Sequence, residues 1–339
     1  MTTPPWFETW RHATDLLGSR TVFFVLGCQK SGTTWVQRLL DACPGVRCGA
    51  ESHLGSLLAG HLAAAVERYN DRQQQRDLAA HRILLARQDL LGMLRSTGDA
   101  ILGRLLADLD HPQAILALGD KTPEHALTIP LLDEIYPRAR FIHVIRDGRD
   151  AAVSGWRHLQ RQGKAGTFAS FAAYAAYFAE HHWRRYITEA RAGGTVHGDR
   201  FLEVRYERLH ADPAGQVRRM LAHLGLPADE ETTSRAVSEA SFERLTGGRT
   251  PGQEDPASFF RKGAVGDWRA HFDAPALDAF TAAAGPLLDD LGYETGSPPP
   301  DPRTHPPTHP PTHPRTHPPS EPNPQLTHDD HHRPAPART

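Results

Sequence analysis

The residues best placed to do chemistry fall in one short run, Gly27-Cys28-Gln29-Lys30-Ser31-Gly32-Thr33-Thr34-Trp35. The two glycines let backbone N–H groups turn toward a common point, Lys30 adds a charge, and Ser31, Thr33 and Thr34 add hydroxyls, a set suited to an anion. The magnesium-nucleotide form of such a loop, G-x-x-x-x-G-K-[ST], puts its lysine after the second glycine, whereas Lys30 precedes Gly32. The anion cradle is kept and the magnesium-nucleotide arrangement is not. Further cations stand in Arg146-Asp147-Gly148-Arg149-Asp150 and in Arg261-Lys262-Gly263. Taken alone, the first reads as a solvated turn with self-paired charges and the second as a surface basic pair. Glu51, Lys121, His53 and His125 are the groups that could hold or move a proton. A carboxylate serves as a base only where its surroundings lift its pKa toward neutrality, and Glu51 reads equally as a first-turn carboxylate ahead of Ser52-His53-Leu54.

Those groups need a scaffold. Thr21 to Gly27 is a β-branched and aromatic run ending in glycine, which predicts a buried strand feeding the Lys30 loop. Val36, Leu39 and Leu40 then follow at helical spacing. Further strands are expected at Ala114–Leu118, Arg140–Ile145 and Phe201–Tyr206. Helices are expected at about Glu124–Tyr136, Asp150–Gln160, Phe168–Ala192, Asp212–Leu224 and Pro275–Leu291, with two or three in Ser52–Leu109 burying Leu84, Leu85 and Leu91. Strands alternating with helices predict an α/β fold, a single domain whose central parallel β-sheet is flanked by helices on both faces. The stretch from Gly247 to Ala264 is long for a connection and reads as a functional lid.

The same residues resemble a known family. Lys30-Ser31-Gly32-Thr33-Thr34-Trp35 is similar to the phosphosulfate loop of sulfotransferases, which take 3′-phosphoadenosine 5′-phosphosulfate as sulfonate donor. Phe141 to Ser154 resembles their second element, whose arginine and serine, here Arg146 and Ser154, bind the donor's 3′-phosphate. Arg261-Lys262-Gly263-Ala264-Val265-Gly266-Asp267-Trp268 resembles the R-K-G-x-x-G-D-W loop that closes over that phosphate. The resemblance implies that Tyr206 contacts adenine with Trp35 on its other side, although both aromatics also suit a plain core. The aryl and alcohol enzymes of the family carry a base histidine two residues after a strand lysine; here Lys121 is followed by Thr122 and Pro123. The run Leu40 to Glu51 is instead similar to tyrosylprotein sulfotransferases, which implies Glu51 as base and Lys121 as its assistant. Lys30 would offset charge on the leaving oxygen. His53 and His125 are the alternatives.

Composition bounds the rest. The chain has 339 residues with 38 Lys+Arg against 40 Asp+Glu, a balance unlike the basic excess of a nucleic-acid binder. No apolar run nears the roughly 20 residues needed to cross a bilayer, and the stretch ahead of Val22–Leu26, holding Trp6, Glu8 and Asp15, does not read as a signal peptide, so none is expected. Cys28, Cys43 and Cys48 fit neither a disulfide framework nor a zinc pattern, so the expected site is cytoplasmic and metal-free. Ser297 to Thr339 holds 15 of the 28 prolines in a Thr-His-Pro-Pro type repeat, which reads as a disordered tail to a sulfotransferase domain over residues 1–296. The expected acceptor is a hydroxylated small molecule held by Ser52–Leu109 and Phe168–Ala192. The competing expectations are a P-loop small-molecule kinase and a non-catalytic nucleotide-binding module acting through the tail.

Overall fold

The computed structural model describes residues 20–295 apart from residues 50, 76–81, 108, 251, 256, 257, 259 and 261, together with a few positions before residue 20. Arg261 and the whole of Ser297–Thr339 therefore lie outside the described residues.

Five strands form one parallel sheet in the order β2-β3-β1-β4-β5: β1 is Thr21–Gly27, β2 Val46–Gly49, β3 Ala117–Lys121, β4 Arg140–Ile145 and β5 Phe201–Arg205. Side chains alternate across a strand, so Phe23 and Val25 enter one apolar core with Val36, Leu39 and Val144, while Phe24 and Leu26 enter the opposite one with Leu118, Phe141 and Ile145. A core on each face is what an all-parallel sheet requires. Helix α1, Thr33–Asp41, follows β1, and α2, Ala59–Gln74, and α3, Arg87–Ala107, lie between β2 and β3.

Several elements differ from the sequence reading for local reasons. Pro112 opens a 3-10 turn that delays β3 by three residues, so the strand carries Asp120 and Lys121 at its end. Strand β2 was not anticipated; its four residues bury only Val46 and Cys48, too short a period to read. The expected helix Glu124–Tyr136 breaks at Thr128 into a 3-10 turn, Pro123–Leu127, and α4, Ile129–Ile135. After β4 comes α5, Gly148–Arg161. The helix expected from Phe168 begins at Phe171, where Ser170 caps it, and its α6, Phe171–Phe178, and α7, Arg185–Gly194, are joined by a π-turn. Tyr206 opens α8, Tyr206–Ala211, and does not close the strand. Leu84 is 49% exposed; the inner face of α3 is carried by Leu94, Leu102 and Leu106. Then follow α9, Pro213–His223, α10, Glu230–Glu239, α11, Phe242–Thr246, and α12, Ala274–Asp290.

The chain runs from β1 to one side of the sheet and later returns to the other, so the loop after β1 sits where the strand order reverses. Open parallel sheets take their ligands at the carboxyl ends of strands beside such a point. The ends of β1, β3, β4 and β5 bring Lys30, Lys121, Arg146 and Tyr206 to the same edge.

Candidate active site

At that edge lies a cavity of about 560 Å³, lined among others by Lys30, Gly32, Thr33, Thr34, Trp35, Glu51, Glu124, Arg146, Ser154, Tyr206, Lys262 and Gly263. Lys30 takes a left-handed φ of 70° and Gly32 one of 96°. A Cβ on Gly32 would stand 2.5 Å from the Tyr206 ring, so the loop admits only glycine there. Ser31 is buried, and its Oγ finds no hydrogen-bond partner among the described residues, an unspent polar group next to the N-cap glycine of α1. Burial, with the Arg161 and Arg146 charges nearby, pushes the Lys30 ammonium down to about 8.

Arg146 ties the cavity walls together. Its Nη1 donates to Lys30 O at 3.2 Å and its Nη2 to Ala264 O at 3.0 Å, while its guanidinium lies 4.2 Å over the Tyr206 ring. Its Nε is buried without a hydrogen-bond partner among the described residues. Trp35 meets Tyr206 edge-on at 5.6 Å and donates through Nε1 to Ala240 O. Lys262 is ion-paired with Asp267.

At the other end, Lys121 Nζ donates to Glu51 Oε1 at 2.5 Å; the Lys121 side chain is 5% exposed and that of Glu51 is 41% exposed. The adjoining residues are fastened in the same way, since Ser52 Oγ donates to Asp120 Oδ2 at 2.6 Å and Ser52 N to Asp120 Oδ1 at 3.1 Å. Two consecutive residues at the end of β3 thus hold two consecutive residues after β2. His53, at a φ of 52°, puts Nε2 3.6 Å from Glu51 Oε2 and Nδ1 3.9 Å from Glu124 Oε2. His125 is fully buried, its Nε2 is 2.6 Å from Asp120 Oδ2, and it does not line the cavity. His53 does not line it either, and of the two histidines only His53 contacts the lining Glu51.

A family model described as the sulfotransferase family matches residues 23–230. The chain belongs to the sulfotransferase family. Among relatives of this sulfotransferase, protein-tyrosine sulfotransferase 1 of Danio rerio is 25% identical over 290 residues, covering 83% of this chain and 74% of that one. Omega-hydroxy-beta-dihydromenaquinone-9 sulfotransferase Stf3 of Mycobacterium tuberculosis is 35% identical over 112 residues, 31% of this chain and 28% of that one. The crystal structure of mouse sulfotransferase SULT7A1 complexed with PAP aligns with a TM-score of 0.50 at 16% identity, covering 83% of this chain and 89% of that one, and so shares its fold.

Of the positions read from sequence, Lys30, Gly32, Thr33, Thr34, Trp35, Glu51, Arg146, Ser154, Tyr206, Lys262 and Gly263 converge on the sulfotransferase's cavity, while Ser31 and Lys121 are buried and do not line it, Lys121 reaching it through its bond to Glu51. Among the described lining residues none comes from Ser52–Leu109 or Phe168–Ala192, the segments expected to hold the acceptor. Gln29, Glu124 and His158 also line it and were missed, with Gln29 Nε2 donating to Glu124 Oε1 at 2.5 Å. His158 was within reach of sequence reasoning: it lies four residues after Ser154 on α5, hence on the same helical face. Arg149 and Asp150 correct the reading of a solvated turn, being 1% and 2% exposed. Among the described residues no group of three or more His, Cys, Asp or Glu is placed to hold a metal ion, and no helix is long and apolar enough to cross a membrane.

The buried Lys30 gives a pH signature. Its charged form is the one that holds an anion, so affinity for adenosine 3′,5′-bisphosphate is expected to be full below pH 8 and to fall as pH rises past about 8. The fall approaches tenfold per pH unit, about 1.4 kcal/mol each, until the ligand-bound pKa is reached. Calorimetry from pH 6.5 to 9.5 checks it, with proton uptake on binding appearing only in the upper half of that range.

Proposed function

We propose that this sulfotransferase transfers a sulfonate group from 3′-phosphoadenosine 5′-phosphosulfate to a hydroxyl, or an amine, of a small-molecule acceptor by in-line displacement, with Glu51 as the base. The observation that carries this reading is that one cavity is lined both by the cations Lys30, Arg146 and Lys262 and by the carboxylates Glu51 and Glu124. The cations suit a donor bearing two separate anionic groups, and a carboxylate beside them suits an acceptor's proton.

The residues present fit that donor. The unspent Ser31 Oγ and Arg146 Nε are donors without acceptors, and the bare Gly32 leaves room for close backbone approach. Lys30, Ser31, Gly32, Thr33 and Thr34 would hold the phosphosulfate, and Arg146, Ser154, Lys262, Gly263 and the undescribed Arg261 the 3′-phosphate, with Trp35 and Tyr206 beside the base. The bound donor supplies the sulfonate. Glu51 takes the acceptor's proton, and Lys121 fixes the carboxylate that takes it. Lys30 places positive charge where the leaving oxygen gathers negative charge.

The printed names of the relatives span a protein tyrosine and an omega-hydroxy quinol, and a hydroxyl is the chemistry common to both. The buried free thiols Cys28, Cys43 and Cys48 fit a cytoplasmic setting. The test begins with thermal shift. Adenosine 3′,5′-bisphosphate is expected to raise the midpoint and magnesium ATP is not, because only a ligand of the folded state stabilises by mass action. The reverse result would make the protein a kinase. A transfer assay then sets phenols and alcohols against tyrosyl peptides, and transfer to peptides alone overturns the small-molecule acceptor.

A further inference from the structure

The donor end of the cavity rests on a buried carboxylate that does not touch it. Asp150, in the first turn of α5, accepts Gly266 N on Oδ2 at 2.7 Å and Trp268 N on Oδ1 at 2.8 Å. Each oxygen takes one backbone N–H, so the carboxylate clamps the turn from two sides. Gly266 holds a left-handed φ of 78°, and the clamp fixes this turn at the point where the chain leaves Lys262, Gly263 and Ala264 on the cavity wall. The other side of the turn is closed by Arg149, whose guanidinium lies 3.8 Å over the Trp268 ring and pairs with Asp147 through Nε at 3.0 Å and Nη2 at 2.8 Å.

The turn in turn aims the cations. Ala264 O, two residues before the clamped Gly266, accepts Arg146 Nη2, and Arg146 Nη2 itself stands 3.8 Å from Asp150 Oδ2. Gly263 O is bonded to His210 Nε2 at 3.1 Å, so the wall between clamp and cavity is pinned at successive residues. We propose that Asp150 is the positioning residue for recognition of the donor's 3′-phosphate, acting through the Gly266–Trp268 turn on Ala264, Lys262 and Arg146. This rests on the donor assignment made above. The carboxylate cannot be replaced by an amide without loss, because the –NH2 of asparagine would face one of the two N–H donors with no acceptor between them.

The test compares two nucleotides that differ by the phosphate in question. In Asp150→Asn, the Kd for adenosine 3′,5′-bisphosphate is expected to rise about tenfold or more, while that for adenosine 5′-monophosphate changes by less than about twofold. A merely structural role would weaken both alike or neither, and either result overturns the proposal. Hydrogen exchange on the wild-type protein gives a reading independent of how the variant folds: the Gly266 and Trp268 amides are expected to be protected in the free protein, and exchange at unprotected rates overturns the clamp. If the wild-type protein itself fails to bind the bisphosphate, the donor assignment falls and not the clamp, which the exchange data still judge.

Discussion

Glu51→Gln is expected to lower kcat by about 10² or more while leaving the affinity for adenosine 3′,5′-bisphosphate unchanged. The substitution keeps the shape of the side chain and removes its capacity to take a proton, together with the negative charge paired with Lys121. A carboxylate offers no hydrogen-bond donor or positive charge to an anionic ligand, so the donor loses no partner. Lys121 Nζ can still donate to the amide oxygen, which keeps the 2.5 Å contact satisfied in kind and spares a buried ammonium from standing alone. A loss in kcat with an unchanged bisphosphate Kd, measured by single-turnover transfer and by calorimetry, is the pattern of a group that acts on the reacting atoms. Near-normal turnover would pass the role to His53, whose Nε2 lies 3.6 Å from Glu51 Oε2, and His53→Ala would then carry the larger loss.

How much of this was legible in the sequence depends on whether the signal was local. Thr21–Gly27 and Arg140–Ile145 are short runs dominated by apolar and β-branched residues and bounded by turn residues, and both are strands over those residues. The Lys30 loop between β1 and α1 follows from its glycines, whose positive φ values no other residue adopts as readily. Asp150 marks the opposite case. A charged residue within a charged run reads as solvated, and what buries it, the backbone of Gly266 and Trp268, lies 116 and 118 residues further along. Lys121 is similar: its burial depends on Glu51, 70 residues away. Charges that are buried because they are paired look identical in sequence to charges that are exposed. That the expected acceptor segments do not line this cavity has a related reason, since apolar helical faces such as Leu94, Leu102 and Leu106 can fill a core as readily as a pocket, and these fill the core.

Arg146→Ala is expected to weaken binding of adenosine 3′,5′-bisphosphate by about 10² or more, the cost of removing a largely buried charged partner from an anion, roughly 3 kcal/mol. Three features place the effect above that of any other single cation of the cavity. The side chain is 11% exposed, so water substitutes poorly for it. Its Nη1 and Nη2 hold Lys30 O and Ala264 O, which means its loss loosens the phosphosulfate loop and the Lys262 segment together. Its guanidinium also lies 4.2 Å over Tyr206, whose ring in turn fills the space that a Cβ at Gly32 would need. Lysine at this position keeps the charge but reaches only one of the two carbonyls and does not stack, so Arg146→Lys is expected to recover less than half of the lost free energy. Calorimetric titration of the three proteins with the bisphosphate checks both statements. Full recovery by lysine would mean that charge alone, and not the fork that joins the two loops, holds the donor end together.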